Sequence, residues 1–300
     1  MKVVVFGATG QLGRELARIA WPEGYNIRFL DRAAADFAEP AIVSEHIRSA
    51  KPDVVINAAA YTAVDLAESH EREAYAANAN APAQIALACS EIGAGLIHIS
   101  TDYVFDGTKT SPYVENDPIA PLGVYGQSKA AGEALIRNEC PRHFILRTAW
   151  VYSPFGKNFV KTMMNLAVTK KEVRVVDDQI GSPTSAGDLA SAIAHLVPHL
   201  QDGQAVWGTY HVTGDGEATW FEFAEAIFED LGRRGFERPN CIPIPTREYP
   251  TPAKRPANSR LNNDKFAGRF GKRLPHWRSS LARVLDELHS GPPREGSLLP

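Results

Sequence analysis

The first twenty residues limit the fold more than any other stretch. "KVVVFGATGQLGRELARIA" passes from an apolar run through Gly7, Gly10 and Gly13 into residues spaced for an amphipathic helix. Glycines at such a junction permit a tight turn, let backbone approach a pyrophosphate, and let helix and strand pack closely. The helix N-terminus behind them offers unpaired N–H groups and the positive end of its dipole to phosphates. The spacing, Gly-x-x-Gly-x-x-Gly, is a variant of the G-x-G-x-x-G dinucleotide fingerprint. The plain alternative is a glycine turn in an α/β protein that binds no nucleotide; the strand–turn–helix context favours the dinucleotide.

That unit recurs through the first half of the chain. Apolar runs at 2–7, 26–31, 53–60, 95–100 and 143–150 alternate with helical spacing at 10–20, 40–52, about 69–91 and 125–139. Alternation of this kind predicts an α/β fold, a Rossmann-type doubly wound parallel sheet with helices on both faces. A cofactor-binding domain is therefore expected over residues 1–150. After Trp150 the rhythm loosens, with helices expected at 158–169, 185–197, 219–232 and 277–288 and strands at 172–178 and 208–214. These predict a smaller C-terminal α/β substrate domain over 151–300, the chain returning to the sheet at about 172–197. The proline-rich, basic stretch 239–263 reads as an ordered surface loop, and the tail "SGPPREGSLLP" as frayed.

Bulk properties exclude several classes of function. A net charge of −3 gives no electrostatic reason to bind nucleic acid or a membrane surface. Three scattered cysteines, Cys89, Cys140 and Cys241, form no CxxC and read as reduced thiols rather than a disulfide or zinc framework. The N-terminal apolar run is too short for a signal peptide, and nothing approaches the roughly 20 apolar residues of a membrane span. A soluble, cytoplasmic protein is expected. His195 and His199 stand four apart, but Pro198 between them marks a helix end rather than a metal pair. The basic run "KRPANSR" (254–260) reads as a loop, with Arg255 or Arg260 as candidates to meet a diphosphate.

Chemistry is concentrated at strand ends. Asp31 closes the second strand, where a carboxylate would accept hydrogen bonds from adenosine ribose hydroxyls and favour NADH. Arg32 beside it would instead suit the 2′-phosphate of NADPH, so both cofactors stay open. Asp36 and Phe37 are candidates to cover the adenine, or simply a surface loop. "ISTDYVFDG" (99–107) places Ser100, Thr101 and Asp102 where a doubly wound sheet binds ligands, although an Asx-type turn explains them too. In "VYGQSK" (124–129), Tyr125 and Lys129 share one face of a helix's first turn. A phenol has an ordinary pKa of about 10, and a neighbouring ammonium favours its phenolate. By spacing alone the two also fit an ordinary surface pair.

The glycine turn, the hydroxyl-bearing strand end and Tyr-x-x-x-Lys occur in the order and spacing of the extended short-chain dehydrogenase/reductases. Further stretches, "NAAAYTAVDLAES", "STDYVFDG", "YGQSKAAGE", "LRTAWVYSPFGKNFV", "DDQIGSPT" and "YPTPAKRPANSRL", resemble the dTDP-4-dehydrorhamnose reductases over about residues 1–290. The resemblance implies reduction of the C4 ketone of dTDP-4-dehydro-β-L-rhamnose by NADPH or NADH. It puts the nucleotide turn at Gly10, Gln11 and Leu12, the ribose carboxylate at Asp31 and a cofactor loop at Ala60, Tyr61 and Thr62. It makes Tyr125 the proton donor, Lys129 its helper, and Thr101, Asp102 and Trp150 substrate contacts, with a core tryptophan as the alternative for Trp150. Some members of that family bind Mg²⁺ at a dimer interface through three glutamates. The matching positions are Glu15, Asp188 and Glu287, and the shorter Asp188 argues against the metal. A dTDP-sugar is the implied partner, and the protein is expected as a monomer or homodimer.

Competing readings share the fold. A 4,6-dehydratase would carry Thr-Asp-Glu where this chain has Thr101-Asp102-Tyr103. A 3,5-epimerase-reductase would need a second acid/base pair, and no cysteine lies near these motifs. A nucleotide other than dTDP, or a non-catalytic regulatory subunit, remains open.

Overall fold

The computed structural model describes residues 1–200 and 206–290; the tail expected to be frayed lies outside the described residues except for Ser290. Valines at 3, 4 and 5 alternate between the two faces of β1 (Lys2–Phe6), so each face of that strand is apolar and can be covered. The chain continues through α1 (Gln11–Arg18), β2 (Asn26–Leu30), α2 (Pro40–Ala50) and β3 (Val54–Asn57). A short α3 (Val64–Ala67) precedes α4 (Glu71–Tyr75) and α5 (Ala81–Ile92), which a π turn at Ala76–Asn80 joins into one helical run. Then come β4 (Gly95–Thr101), α6 (Val124–Glu139) and β5 (His143–Thr148).

The second half holds β6 (Val151–Tyr152), α7 (Phe159–Thr169), β7 (Glu172–Val176), β8 (Ile180–Gly181), β9 (Thr184–Ser185) and α8 (Ala186–Leu196). It ends with β10 (Gly208–His211), β11 (Ala218–Thr219), α9 (Trp220–Arg233), β12 (Asn240–Ile244), α10 (Asp264–Phe270) and α11 (Trp277–Ser290).

Six strands form one parallel sheet in the order β10-β5-β4-β3-β1-β2. From β1 the chain winds outward to β2, then crosses to β3 on the other side, so a crevice opens between the carboxyl ends of β1 and β3. Leu12 and Leu16 of α1, Leu189 and Ile193 of α8, and Phe266 and Phe270 of α10 cover one face. Val43 and Ile47 of α2, Ile85 and Cys89 of α5, and Ile136 of α6 cover the other.

The return to this sheet differs in detail from the sequence expectation. Helix α8 does come back to lie against α1, but β7 pairs with β12 in a separate two-stranded ladder, and the sixth strand is β10. The 239–263 segment is not all loop, since it contributes β12 and single bridges to Tyr113 and Ile180. A second apolar core gathers Met163, Phe223, Ile227, Trp277 and Leu281 from α7, α9 and α11. Helix α9 starts on a capping box between Thr219 and Glu222. Among the described residues no helix is long and apolar enough to cross a membrane.

Candidate active site

The glycine turn forms one wall of the crevice. Gly7 has φ +88°, and a Cβ on Gly13 would stand 2.1 Å from the Gly7 carbonyl oxygen, so α1 can approach β1 this closely only through glycine. Gly10 is the N-cap of α1, with no side chain capping the helix. The first-turn N–H groups of Gln11, Leu12 and Gly13 are thus left for a ligand, and the turn fits a dinucleotide's pyrophosphate. Gln11 Oε1 accepts from Asn158 Nδ2 at 2.9 Å, which ties the turn to the second lobe.

Asp31 ends β2 and accepts the Ala34 N–H at 3.0 Å through Oδ1. Arg32 is 83% exposed and pairs loosely with Asp36 at 3.4 Å. Asp36 accepts the Ala38 N–H, which holds its carboxyl below the usual range. Phe37 is 7% exposed, its ring set edge-on to Phe6 with centroids 5.8 Å apart, so it serves the core rather than the open surface. Ala60, Tyr61 and Thr62 follow β3. The Tyr61 N–H donates to Asn78 Oδ1 at 2.8 Å and its carbonyl accepts from Asn78 Nδ2 at 3.1 Å.

Asn78 escaped the sequence reading. It is buried in the π turn between α4 and α5, and its Nδ2 also donates to Ser128 Oγ at 3.1 Å. One amide thereby fixes the loop after β3 relative to α6. The available signal was "AANAN", two asparagines inside an otherwise apolar helical stretch, where asparagine is intrinsically unfavourable.

The reactive groups meet at the ends of β4 and α6. Thr101 Oγ1 donates to Asp102 Oδ1 at 3.0 Å and accepts the Tyr103 N–H at 3.1 Å. Tyr125 lies in the first turn of α6, and Gly126 beside it lets that turn sit on the Tyr103 carbonyl, which a Cβ would meet at 2.2 Å. Burial pushes the Tyr125 phenol up to about 12; a hydrogen bond with Thr101 works against this, and the nearby Asp102 adds to it. Lys129, one turn on, is 1% exposed and donates to the Ile99 carbonyl at 2.6 Å. Burial lowers its ammonium to about 8, with Glu133 opposing.

Glu133 anchors the same helix from below. It accepts from Ser100 Oγ at 2.6 Å, from Arg147 at 2.9 and 2.7 Å, and from Arg137 at 2.6 Å. Despite burial, the Arg147 guanidinium and its companions hold the Glu133 carboxyl below its ordinary value.

Asp102 is 3% exposed, and its Oδ2 has no hydrogen-bond partner. Burial raises it to about 6, against hydrogen bonds from Ser259 and Thr101. Trp150, two residues past β5, takes φ +47° and stacks on Trp220 with centroids 3.5 Å apart and planes 7° apart. Arg255 is engaged with Asp65 at 2.8 Å, and Arg260 with Glu217 at 2.9 Å.

The three carboxylates at the family's metal-matching positions, Glu15, Asp188 and Glu287, come together with arginines among them. Glu287 accepts from Arg18 at 2.9 and 3.1 Å, and Asp188 accepts from Arg283 at 2.6 and 2.8 Å and from Ser280. Glu15 is raised mainly by burial, with Arg18 3.4 Å away opposing and the Glu287 and Asp188 charges adding. Guanidinium groups thus occupy the oxygens a cation would need, and no group of three such side chains among the described residues is arranged to hold a metal ion. His195 Nε2 contacts the Phe270 carbonyl at 2.9 Å.

A parallel sheet with this glycine turn, and with threonine, tyrosine and lysine converging at its carboxyl edge, defines an extended short-chain dehydrogenase/reductase. Residues 1–290 match the family model described as "RmlD substrate binding domain". The dTDP-4-dehydrorhamnose reductase of Escherichia coli K12 is 44% identical over 293 residues, covering 96% of this chain and 98% of that one. A solved dTDP-4-dehydrorhamnose reductase from Clostridium acetobutylicum superposes with a TM-score of 0.90 at 38% identity, over 96% of this chain and 100% of its own. One from Bacillus anthracis, in complex with NADP, gives 0.89 at 37% identity, over 95% and 99%. The chain belongs to the dTDP-4-dehydrorhamnose reductase family and is a nicotinamide-dependent oxidoreductase.

Proposed function

We propose that this protein reduces the C4 ketone of dTDP-4-dehydro-β-L-rhamnose to dTDP-β-L-rhamnose, with Tyr125 as the proton donor. The observation that carries the reading is the convergence of Thr101, at the end of β4, with Tyr125 and Lys129, one turn apart at the start of α6, all three at the sheet's carboxyl edge. A reduced nicotinamide, NADPH or NADH, supplies the hydride when bound.

The chain's own groups do the rest. With its phenol pushed up to about 12, Tyr125 is fully protonated near neutrality and enters as an acid. It gives its O–H proton to the substrate's carbonyl oxygen as that oxygen gains charge, and Thr101, its hydroxyl turned from Asp102 Oδ1, donates a second hydrogen bond to the same atom. The Lys129 ammonium stabilises the phenolate left behind and holds ribose hydroxyls. Asp102 and Trp150 meet the sugar. Gly7, Gly10, Gln11, Leu12 and Gly13 hold the pyrophosphate, with Ala60, Tyr61 and Thr62 along the adjoining loop. Asp31 suits adenosine ribose hydroxyls, and the exposed Arg32 is free to turn toward a 2′-phosphate. In this reading residues 1–150 form the cofactor domain, most of 151–300 forms the sugar-nucleotide domain, and the enzyme works in the cytoplasm.

The test is oxidation of NADPH or NADH by the purified protein with enzymatically prepared dTDP-4-dehydro-β-L-rhamnose. The unaltered chain is expected to turn over, and Tyr125→Phe to lose roughly 10²–10⁴ in kcat while still binding cofactor. Cofactor binding without turnover, with either nucleotide, would remove this substrate and favour a regulatory subunit or another sugar.

A further inference from the structure

Behind Lys129 runs a chain of buried polar groups that the proposed reaction does not use. His98 on β4 has both ring nitrogens engaged: Nε2 lies 3.2 Å from Lys129 Nζ, and Nδ1 lies 3.0 Å from Asn57 Nδ2. Asn57 is its register partner on β3, and both side chains are fully buried. Asn57 Oδ1 accepts the Ala59 N–H at 3.1 Å. A backbone N–H can only donate, so this contact decides which end of the amide faces the ring: Asn57 presents its NH₂ to His98.

The proton inventory follows. Nδ1 must accept, and full burial keeps the ring neutral. In a neutral imidazole that accepts at Nδ1, the hydrogen sits on Nε2. Nε2–H therefore faces Lys129 Nζ, where only an amine lone pair can receive it. An ammonium there would set donor against donor. The other fixed contact of Nζ, to the Ile99 carbonyl, is satisfied by either form.

We infer that His98 is a positioning residue: locked by Asn57 as the Nε2–H tautomer, it donates into the Lys129 lone pair and biases that lysine's exchange with solvent toward the neutral amine in the cofactor-free protein. Around Lys129 the charged and titratable groups are Tyr125 and Glu133 on its own helix, His98 on β4, and His143 on β5 beyond it, with Asp102 against Tyr125. Glu133 alone favours the ammonium, and its oxygens are already taken by Arg147 and Arg137. The downward shift of Lys129 by burial runs in the same direction. The inference deepens the reductase reading and rests on it for its kinetic consequence, since the tautomer then sets the pH above which the catalytic ammonium is lost.

The first test needs no turnover. In protein labelled with ¹⁵N-histidine and free of cofactor, the His98 ring, assigned by its disappearance in His98→Leu, is expected to show the Nε2–H pattern. An Nδ1–H pattern or an imidazolium would overturn the proposal. The second is Asn57→Asp, whose carboxylate accepts from Nδ1–H and so turns Nε2 into an acceptor for the ammonium. The alkaline limb of kcat/KM is expected to move up by about one pH unit, and His98→Leu, which removes the donor, to move it the same way. A merely structural role would lower kcat across the profile without moving the limb. A limb that stays in place once Asn57→Asp has switched the tautomer would also overturn the proposal. Failure of the reductase assay would leave the tautomer measurement standing, so the two readings fail separately.

Discussion

Asp102 sits at the end of β4 with one carboxylate oxygen unpartnered, and its burial has a consequence for stability with a definite sign. Its folded-state value is raised to about 6. A group raised in this way binds its proton more tightly in the folded chain, so its contribution is full below the ordinary carboxylate range and is lost as pH rises through 6. The loss approaches about 3 kcal/mol by neutrality, from a shift of about two units. Asp102→Asn is therefore expected to unfold at higher denaturant than the unaltered chain at pH 8 and at the same denaturant near pH 4. Equal midpoints at pH 8 would show that the carboxylate is relieved by something else. Thr101, Tyr125 and Lys129 could be read from spacing because each lies in a local motif. Asp102's environment could not, since Ser259 reaches it from far along the chain. Asn57 and His98 were equally hidden, because their meeting depends on the register of β3 against β4.

At the scale of elements, the π turn decides how α5 and α6 carry the site. The sequence reads 69–91 as one helix, and the backbone nearly agrees, with a single wide turn at Ala76–Asn80 joining α4 to α5. What the turn adds is the placement of Asn78, and it does so by close approach. A Cβ on Gly132 of α6 would lie 2.1 Å from the Asn78 carbonyl oxygen. Gly132→Ala is expected to cost about 1–3 kcal/mol by overpacking. It should also loosen the grip of Asn78 on Tyr61, raising the cofactor's KM more than it lowers kcat. Thermal unfolding and the KM-to-kcat split would measure the two effects, and a variant matching the parent in both would refute the close contact. The 239–263 segment shows the opposite limit of sequence reading. "NCIPI" carries a proline and no sustained period, and it becomes β12 only because β7 is there to pair with it.

For the whole molecule, the alternation of strands and helices made the first five strands of the sheet legible, because each is a buried apolar run flanked by helical spacing. The sixth was recognised as a strand without its place being evident. β10 comes after the second lobe has begun, and only the folded sheet shows that it closes on β5. During synthesis this ordering has a cost in time. From the moment β5 leaves the ribosome until His211 follows it, one edge of the nascent sheet carries unpaired backbone groups, with Phe144 and Leu146 still awaiting Tyr210 and Val212 in their shared core. A chain stalled after Thr169 should accordingly sediment with aggregates on release, whereas the full-length chain released the same way should stay in the supernatant. Folding of this enzyme on the ribosome is thus expected to wait on a strand four residues long, and holdase chaperones to matter most in that interval.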